Sequence, residues 1–254
     1  MSGLRPNLVA AITYDGLCTF EFGVAVEIFG LPRPEFDFPW YEFTVAAAES
    51  RRVRAVGGVT VEADADLSAL AEARSIIVPG WRDRTERPPE RLLEALRRAH
   101  AKGARLVSIC SGVFVLAAAG LLDGRRATTH WNRSADFARR FPAVRLDADR
   151  IFVQDGPMWT SAGITAGIDM SLALITEDLG EDIGRRTAQQ LVVYHRRPGG
   201  QSQFSALLDL ERPASRFGGV LEWAREHLTE PLNVEQLADV AAMSARNFAR
   251  AFAA

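Results

Sequence analysis

The most informative segment of this chain is Leu106-Val-Ser-Ile-Cys-Ser-Gly-Val-Phe-Val-Leu-Ala-Ala-Ala-Gly-Leu-Leu-Asp-Gly-Arg-Arg-Ala-Thr-Thr-His-Trp131. Its apolar start, residues 106–109, predicts a buried strand. The strand ends at Cys110, and two small residues lead directly into an apolar helix predicted over residues 113–119. A tight strand-to-helix turn of this kind lifts one side chain out of the sheet and places the first amides of the helix beneath it. We therefore expect Cys110 to be reactive, with a depressed pKa; the alternative is a small buried side chain at a strand end.

The segment also resembles the ThiJ/PfpI superfamily, whose fold is class I glutamine amidotransferase-like. Residues 108–119 are similar to the nucleophile elbow of that superfamily, and Arg126-Ala-Thr-Thr-His-Trp131 is similar to the segment that carries its pocket histidine. The resemblance implies that His130 lies near Cys110, with a purely structural histidine as the alternative. The peptidase-like branch has its catalytic histidine directly after the cysteine, where this chain has Ser111, so protease activity is not expected.

In this superfamily the acidic partner of the cysteine comes from the first strand-to-helix connection. The matching segment is Tyr14-Asp-Gly-Leu-Cys-Thr-Phe-Glu-Phe-Gly-Val-Ala-Val-Glu-Ile-Phe29, which implies this role for Glu21. A proline often stands four positions after the acid, and Ala25 replaces it here, a departure that concerns the backbone more than the chemistry. Because an acid that faces a thiolate must keep its proton to donate a hydrogen bond, we expect Glu21 to be partly buried. The alternative is a solvated glutamate in the first helical turn. The neighbouring Cys18 is interpreted as a packing residue.

The composition is that of an ordinary globular protein, with 48% hydrophobic and 24% charged residues. At 254 residues the chain exceeds one average domain. Its two cysteines do not form a disulfide framework, which favours a reducing cytoplasm. The sequence shows neither a signal-peptide core nor an apolar run long enough to span a bilayer, so no membrane association is expected. The net charge of −2 argues against a general polyanion binder.

Strand and helix patterns alternate as far as residue 194, which predicts an α/β fold. We expect a three-layer flavodoxin-like sandwich with a mostly parallel sheet. The predicted strands are residues 7–13, 41–47, 59–61, 75–80 and 106–109, with a hairpin over residues 144–160. The predicted helices are residues 21–31, 88–100, 113–119, 132–141, 165–179 and 181–194.

Ligands of such sheets bind at the carboxyl ends of the strands. Glu21, Gly80 and Cys110 each follow a predicted strand end, so we expect them to converge on one pocket. The further ligand-binding residues that the resemblance implies are Gly80, Trp81, Ser111 and Trp131.

Residues 196–215 differ from the preceding pattern, because prolines, glycines, glutamines and serines interrupt regular structure. We therefore predict an amidotransferase-like domain over residues 1–195, a linker over residues 196–215 and a small all-α segment over residues 216–254.

In that last segment the pattern predicts helices over residues 216–227, 232–241 and 245–252. Asn233 and Gln236 are placed for a capping box, and Ser244 is placed to cap the third helix. The residues with the spacing to pack two short helices across a turn are Leu237, Val240, Met243, Phe248 and Phe252. This pattern is typical of a helix-turn-helix, with an inert helical hairpin as the alternative.

Residues 232–252 resemble the first helix-turn-helix of AraC/XylS-type transcription regulators, including the recognition helix Ser244-x-Arg246-x-Phe248-x-Arg250-x-Phe252. Arg196-Arg-Pro-Gly-Gly-Gln-Ser-Gln-Phe-Ser205 and Thr165-Ala-Gly-Ile-Asp169 are similar to segments of GlxA-type regulators, which fuse a ThiJ/PfpI-like domain to an AraC-type domain. The DNA-binding residues that the resemblance implies are Ser244, Arg246, Asn247 and Arg250. In that arrangement the two arginines face the major groove, where arginine can bond guanine in a bidentate manner; the alternative is a solvated helix face.

One departure from the AraC type concerns DNA binding. Domains of that type have two helix-turn-helix units, and this chain ends within the first recognition helix, so we expect the 254 residues to be part of a longer protein. From residue 216 onward, four arginines stand against five acidic residues, a net charge of −1. Because phosphate neutralisation supplies most non-specific affinity, we expect these residues alone to bind DNA weakly or not at all.

Two functions compete. The first is a transcription regulator whose ThiJ/PfpI-like domain binds a small-molecule effector or forms a homodimer. The second is an enzyme that depends on Cys110. It would be a hydratase or hydrolase, either similar to isonitrile hydratase or acting on amides. The helix-turn-helix favours the regulator. The other histidines lack metal-ligand spacing and no Gly-rich phosphate loop is present, so we expect neither a metal nor a cofactor.

Overall fold

A computed structural model of the chain describes residues 3–202, 204, 217–227 and 232–252. The chain divides into two compact units, Met1–Gln201 and Ser202–Ala254. Residues 203 and 205–215 of the predicted linker, and Arg216 after it, lie outside the described residues, so the end of the predicted linker stays a prediction.

The first unit is built around a sheet whose strands alternate with helices along the chain. Its strands are β1 (Arg5–Thr13), β2 (Glu42–Ala47), β3 (Arg52–Arg54), β4 (Thr60–Glu62), β5 (Ala65–Asp66), β6 (Ala73–Val78), β7 (Arg105–Ile109), β8 (Arg126–Ala127), β9 (Arg145–Leu146), β10 (Phe152–Asp155) and β11 (Met158–Ser161). Its helices are α1 (Thr19–Ala25), continued by a π-helical turn (Val26–Gly30), α2 (Glu90–Ala101), α3 (Val113–Ala118), α4 (Ser134–Arg140), α5 (Ile164–Leu179) and α6 (Glu181–Gln190). Short 3-10 turns lie at Leu67–Ala71, Cys110–Gly112 and Trp131–Arg133.

The main sheet has seven strands in the order β10-β11-β7-β6-β1-β2-β5. The pairings from β11 to β5 are parallel, whereas β10 runs antiparallel to β11. Among the helices, α2 packs against α3, and α5 packs against both α1 and α6. The prediction of a flavodoxin-like α/β sandwich with a mostly parallel sheet is confirmed.

The central strands are buried over most of their length. Every residue of β7 and of β11 is buried, and β1 is buried from Leu8 to Thr13. Strands that lack in–out alternation are typical of a parallel sheet covered on both faces. The chain passes from β1 to β2 on one side and returns to β6 on the other, so a crevice opens between the carboxyl ends of β1 and β6.

Two elements differ from their prediction. The helix predicted over residues 181–194 ends at Gln190, and Val192 beyond it has a φ of 55°, in the left-handed region that does not continue a right-handed helix. Of the hairpin predicted over residues 144–160, only β10 and β11 form a hairpin. The preceding β9 instead pairs in parallel with β8, in a separate two-stranded sheet.

In the second unit the described residues form α7 (Gly218–Glu226), α8 (Val234–Val240) and α9 (Ala245–Phe252). The predicted capping box is present. The Asn233 side chain accepts a hydrogen bond from the Gln236 N–H at 2.9 Å, and the Gln236 side chain accepts one from the Asn233 N–H at 3.1 Å. At the start of α9, the Ser244 hydroxyl accepts a hydrogen bond from the Asn247 N–H at 3.4 Å, as expected of an N-cap.

A small core joins these helices. Val220, Ala238 and Phe248 are buried together, and Leu237 and Met243 pack against them. Val240, which was expected in this core, is 39% exposed, and that expectation is wrong. Residues two positions apart point to nearly opposite sides of a helix, so the burial of Ala238 turns Val240 outward.

The first unit ends on a segment that its own residues hold in place. The Arg197 guanidinium lies 2.6 Å from the Asp169 carboxylate of α5. The Gln201 side chain is 4% exposed, and its amide nitrogen donates to the backbone carbonyls of Thr129 and Ala148, each at 2.9 Å. Residues 196–201, the start of the predicted linker, therefore lie within the first unit.

We predict that a chain ending after Tyr194 is less stable than one ending after Gln201. The shorter chain leaves the carbonyls of Thr129 and Ala148 without their Gln201 donor, and an unpaired buried acceptor destabilises the folded state. We expect its midpoint of thermal unfolding, followed by circular dichroism, to be roughly 5 °C lower. Equal midpoints for the two chains would contradict the structural role given to residues 195–201.

Candidate functional site

Cys110 occupies the turn between β7 and α3 in a strained backbone conformation. The preceding Ile109 is extended, with φ −110° and ψ 131°, whereas Cys110 has a φ of 55°. A non-glycine residue in the left-handed region costs on the order of 1–3 kcal/mol and persists only where its surroundings impose it. The Cys110 side chain is 3% exposed. The backbone therefore makes the sharp strand-to-helix turn that the sequence predicts.

The turn approaches the end of β6 so closely that only glycine fits at residue 112. A Cβ atom on Gly112 would lie 2.3 Å from the carbonyl oxygen of Val78 and 2.7 Å from that of Pro79. Both atoms belong to the backbone, so neither can rotate away. The close approach brings the loop after β6 against the Cys110 turn.

Ser111 and Trp81 fix these two loops to each other. The Trp81 N–H donates to the Ser111 hydroxyl at 2.8 Å, and this hydroxyl donates to the Trp81 carbonyl at 3.1 Å. The Trp81 ring is buried, with its centroid 4.5 Å from that of Tyr14. Both residues were predicted to bind ligand. In the structure the Ser111 hydroxyl is hydrogen-bonded to the backbone of Trp81.

Glu21 reaches the same place from the amino-terminal end of α1. Its side chain is 8% exposed, in line with the expected partial burial. A Cβ atom on Gly80 would lie 3.2 Å from Glu21 Oε1 and 2.9 Å from Cys18 Sγ. Because Gly80 has no side chain, the Glu21 carboxyl and the Cys18 thiol can both lie against its backbone. We call Cys18, Glu21, Gly80 and Cys110 the elbow cluster.

Neither thiol of the elbow cluster is activated by its surroundings. Burial raises the pKa of Cys110 to about 11, although the Arg133 guanidinium acts in the opposite direction. Burial also raises the pKa of Cys18. The prediction of a depressed pKa at Cys110 is therefore wrong. Desolvation of the thiolate outweighs the favourable field at the start of α3, a helix of only six residues.

The segment after β8 forms a wall beside the Cys110 turn. The Thr129 hydroxyl donates to the Cys110 carbonyl at 3.1 Å. His130 Nδ1 accepts a hydrogen bond from the Asn132 N–H at 3.3 Å, and burial lowers the pKa of His130. The imidazole is therefore neutral at pH 7. The Trp131 N–H donates to the Gln201 side-chain oxygen at 2.7 Å. Residues 128–133 are called the pocket wall below.

Arg133 and Cys18 are the residues that sequence reasoning did not place in this site. The Arg133 charge acts to lower the pKa of both Cys18 and Cys110. Its Nε atom is buried without a hydrogen-bond partner, and among the described residues no carboxylate forms an ion pair with it. Its position three residues after His130, in the same segment, is the one signal that could have drawn attention to it.

The described residues also bear on whether the site could hold a metal and whether the chain could cross a membrane. They contain no group of three or more histidine, cysteine, aspartate or glutamate side chains that could hold a metal ion. In the same part of the chain, no helix combines the length and apolar composition that a membrane crossing requires.

Residues 9–177 of the sequence match the DJ-1/PfpI family, in agreement with the geometry of the site. The chain belongs to the DJ-1/PfpI family. The resemblance seen at the elbow segment is thereby confirmed for about two thirds of the chain, and it includes β1, β6 and β7, the strands that carry the elbow cluster.

Curated relatives extend the comparison. The chain is 31% identical over 219 residues to the HTH-type transcriptional regulator CdhR of Pseudomonas aeruginosa. This match covers 84% of this chain and 63% of CdhR. It is 42% identical over 102 residues to an isonitrile hydratase of Pseudomonas putida, covering 40% of this chain and 43% of that protein. Further relatives, GlxA of Rhizobium meliloti among them, are also named HTH-type transcriptional regulators. The chain thus spans less than two thirds of the length of CdhR.

Among solved structures, an AraC family transcriptional regulator from Pseudomonas putida superimposes with a TM-score of 0.63 at 23% identity. The match covers 73% of this chain and the whole of that one. At this level of identity the likeness shows the fold alone.

We predict that Cys110 is alkylated slowly at neutral pH and faster as the pH rises. Because only the thiolate reacts and the pKa of Cys110 is about 11, its rate with iodoacetamide should rise about tenfold per pH unit between pH 7 and pH 9.5. Mass spectrometry of the Cys110 peptide measures the rate, with Cys110→Ala as the control that leaves Cys18 alone. A rate that levels off below pH 8 would show an activated thiol.

Proposed function

We propose that this chain is the effector-binding part, with a portion of the DNA-binding part, of a transcription regulator. The observation that carries the proposal is the order of parts: a DJ-1/PfpI unit is followed by a second unit whose helices α8 and α9 carry the caps of a helix-turn-helix. The relative CdhR, 31% identical over 219 residues, is named an HTH-type transcriptional regulator, and this name supports the proposal. As a DNA-binding regulator the protein would act in the cytoplasm.

The surface of α9 supports a role in DNA recognition. Arg246, Asn247 and Arg250 are exposed, and the Arg250 guanidinium donates to the Asn247 side-chain oxygen at 3.2 Å. Arg246 and Arg250 are four residues apart and therefore share one face of the helix. Exposed arginines on one face suit bidentate contacts to guanine in the major groove. Ser244 has a different role in this proposal, because its hydroxyl already caps α9.

The elbow cluster is proposed to bind an effector and not to catalyse. A nucleophilic cysteine needs its thiolate, and burial holds the Cys110 thiol protonated at neutral pH. The lowered pKa of His130 also makes its imidazole a weaker general base toward that thiol. The half-buried guanidinium of Arg133, whose Nε atom has no hydrogen-bond partner, favours a small ligand that carries an anionic group, since a half-buried charge is stabilised by an opposite charge.

A Cys110-dependent enzyme is the second candidate. The strained φ of Cys110 and the 42% identity to an isonitrile hydratase over 102 residues favour it. In this alternative, substrate binding would have to lower the pKa of the thiol, and Arg133 is the residue placed to assist.

We predict that Arg246→Ala and Arg250→Ala each weaken operator binding, by about 1–3 kcal/mol if the arginine contacts a base. The full-length gene product is titrated in gel shifts on its own upstream DNA and on random DNA at one salt concentration. Arg98→Ala, an exposed arginine of α2, is the matched control and should change nothing.

In the same assay, Cys110→Ala should leave the DNA affinity without effector largely intact, because the two sites lie in separate units. The enzyme hypothesis expects the reverse, a loss of turnover of a small substrate with Cys110→Ala and no effect of the arginine changes. Equal affinity for specific and random DNA at every condition would reject the regulator.

We also propose that the protein is a homodimer through the exposed face of α1. An apolar groove of 220 Å³ runs between α1, α5 and the end of α6, where Phe20 is 54% exposed. Val192 and Tyr194, directly after the groove residue Leu191, are exposed as well. Apolar side chains gathered on one surface are typical of a protein–protein contact, and a second copy offers a self-complementary partner.

For this face we expect Phe20→Glu to shift the protein from dimer to monomer in analytical ultracentrifugation, because two copies would bury the introduced charges against each other. The control is Phe38→Glu, a change at an exposed phenylalanine that does not line the groove. A dimer that survives Phe20→Glu would place the interface elsewhere.

A further inference from the structure

The Pro198-Gly-Gly-Gln201 segment has a backbone that directs Gln201 into the first unit. Gly199 has a φ of 89°, a left-handed conformation that favours glycine. A Cβ atom on Gly200 would lie 2.4 Å from the Asp149 carboxylate, so a side chain at this position is excluded while that carboxylate keeps its place. The Gln201 N–H then donates to the Asp149 carbonyl at 2.7 Å. The left-handed conformation at Gly199 therefore precedes the residue whose side chain enters the first unit.

Both the nitrogen and the oxygen of the Gln201 side-chain amide form hydrogen bonds within the first unit. Its nitrogen, which carries two hydrogens, lies within hydrogen-bond distance of four oxygens: the carbonyls of Thr129 and Ala148 at 2.9 Å, that of Arg150 at 3.0 Å, and the Thr128 hydroxyl at 3.2 Å. Its oxygen accepts the Trp131 N–H. A buried amide with a partner for every polar atom holds its surroundings in one arrangement, and no hydrocarbon side chain of the same size can replace it.

The groups that Gln201 holds belong to the pocket wall. Thr129 receives the Gln201 amide on its carbonyl and binds the Cys110 carbonyl through its hydroxyl, so a single residue separates Gln201 from the strained turn. Thr129 and Trp131, both bonded to Gln201, flank His130. Arg133 follows in the 3-10 turn that starts at Trp131.

We propose that Gln201 is a positioning residue that sets the pocket wall and links it to the chain segment leading into the second unit. Gln201 is the last residue of the first unit, so the wall beside Cys110 and the start of the connecting chain share one hydrogen-bonded side chain. A ligand that shifts Thr129 or Trp131 thereby moves the point at which the chain leaves the first unit. The use of this link to report an effector rests on the proposed function; the link itself does not.

Such a link acts in both directions. Energetic coupling between two sites is reciprocal, so a change at Gln201 must alter the wall, and a change in the wall must alter Gln201. Local opening of each site can be followed by the exchange of backbone amide hydrogens, because exchange reports the free energy of opening of each segment.

The experiment compares Gln201→Ala and the near-isosteric Gln201→Met with the wild-type 254-residue chain. Gln190→Ala, a change to an exposed glutamine at the end of α6, is the matched control. Hydrogen exchange is measured by mass spectrometry for peptides that cover residues 128–133, and for residues 9–12 of β1 as a reference. Alkylation of Cys110 by iodoacetamide at pH 9 provides a second probe.

For both Gln201 variants we expect exchange in residues 128–133 and alkylation of Cys110 to rise by about tenfold, with exchange in β1 unchanged. Gln190→Ala should change neither. The reciprocal variant Thr129→Val, which removes the hydroxyl bonded to the Cys110 carbonyl, should speed exchange of the Gln201 amide.

Two outcomes would overturn the proposal. One is wall exchange and Cys110 alkylation that stay at the wild-type rates in the Gln201 variants. The other is an equal rise in β1 and the wall, which would make Gln201 a general stabilising residue. Because these measurements need neither DNA nor an effector, their failure is distinct from failure of the regulator hypothesis, which the gel-shift titration tests.

Discussion

The approach of residue 112 to the carbonyl oxygens of Val78 and Pro79 is the constraint on which the site depends. It lets the turn after β7 lie against the loop after β6, and the Ser111–Trp81 hydrogen bonds then fasten the two loops together. With both loops fixed, Cys110 is held at a positive φ, and the bare backbone of Gly80 admits the Glu21 carboxyl and the Cys18 thiol. Strain at one residue is thus maintained by contacts made at its neighbours.

The same close packing determines the chemistry of the thiol. A turn at a helix start favours a thiolate, but only where water or fixed dipoles can solvate it. Here the turn is buried, and burial raises the pKa of Cys110 to about 11. An elbow with a protonated thiol presents a small, polarisable group to a ligand, whereas catalysis would require a further source of positive charge. Among the causes that act on this pKa, the Arg133 charge is the one that favours the thiolate from a side chain.

The sequence was sufficient for features that depend on short-range pattern. Buried strands, the sharp turn at Cys110 and the Asn233–Gln236 capping box each follow from a few adjacent residues, and the structure contains them. Features that depend on distant residues were missed or wrong. The pKa of Cys110 depends on how deeply neighbouring elements bury it, and the outward position of Val240 follows from which α8 residue meets Phe248. Similarly, nothing local to Gln201 shows that its partners lie more than fifty residues earlier.

The position of Gln201 determines where this unit can be joined to another protein. A junction placed at Tyr194, where the predicted helix ends, would discard the side-chain amide that accepts the hydrogen bond of the Trp131 N–H. A junction after Gln201 keeps that amide and the Arg197–Asp169 ion pair. A chimeric sensor that couples the DJ-1/PfpI unit to a fluorescent or enzymatic output would therefore retain residues through 201 and begin the foreign sequence after them.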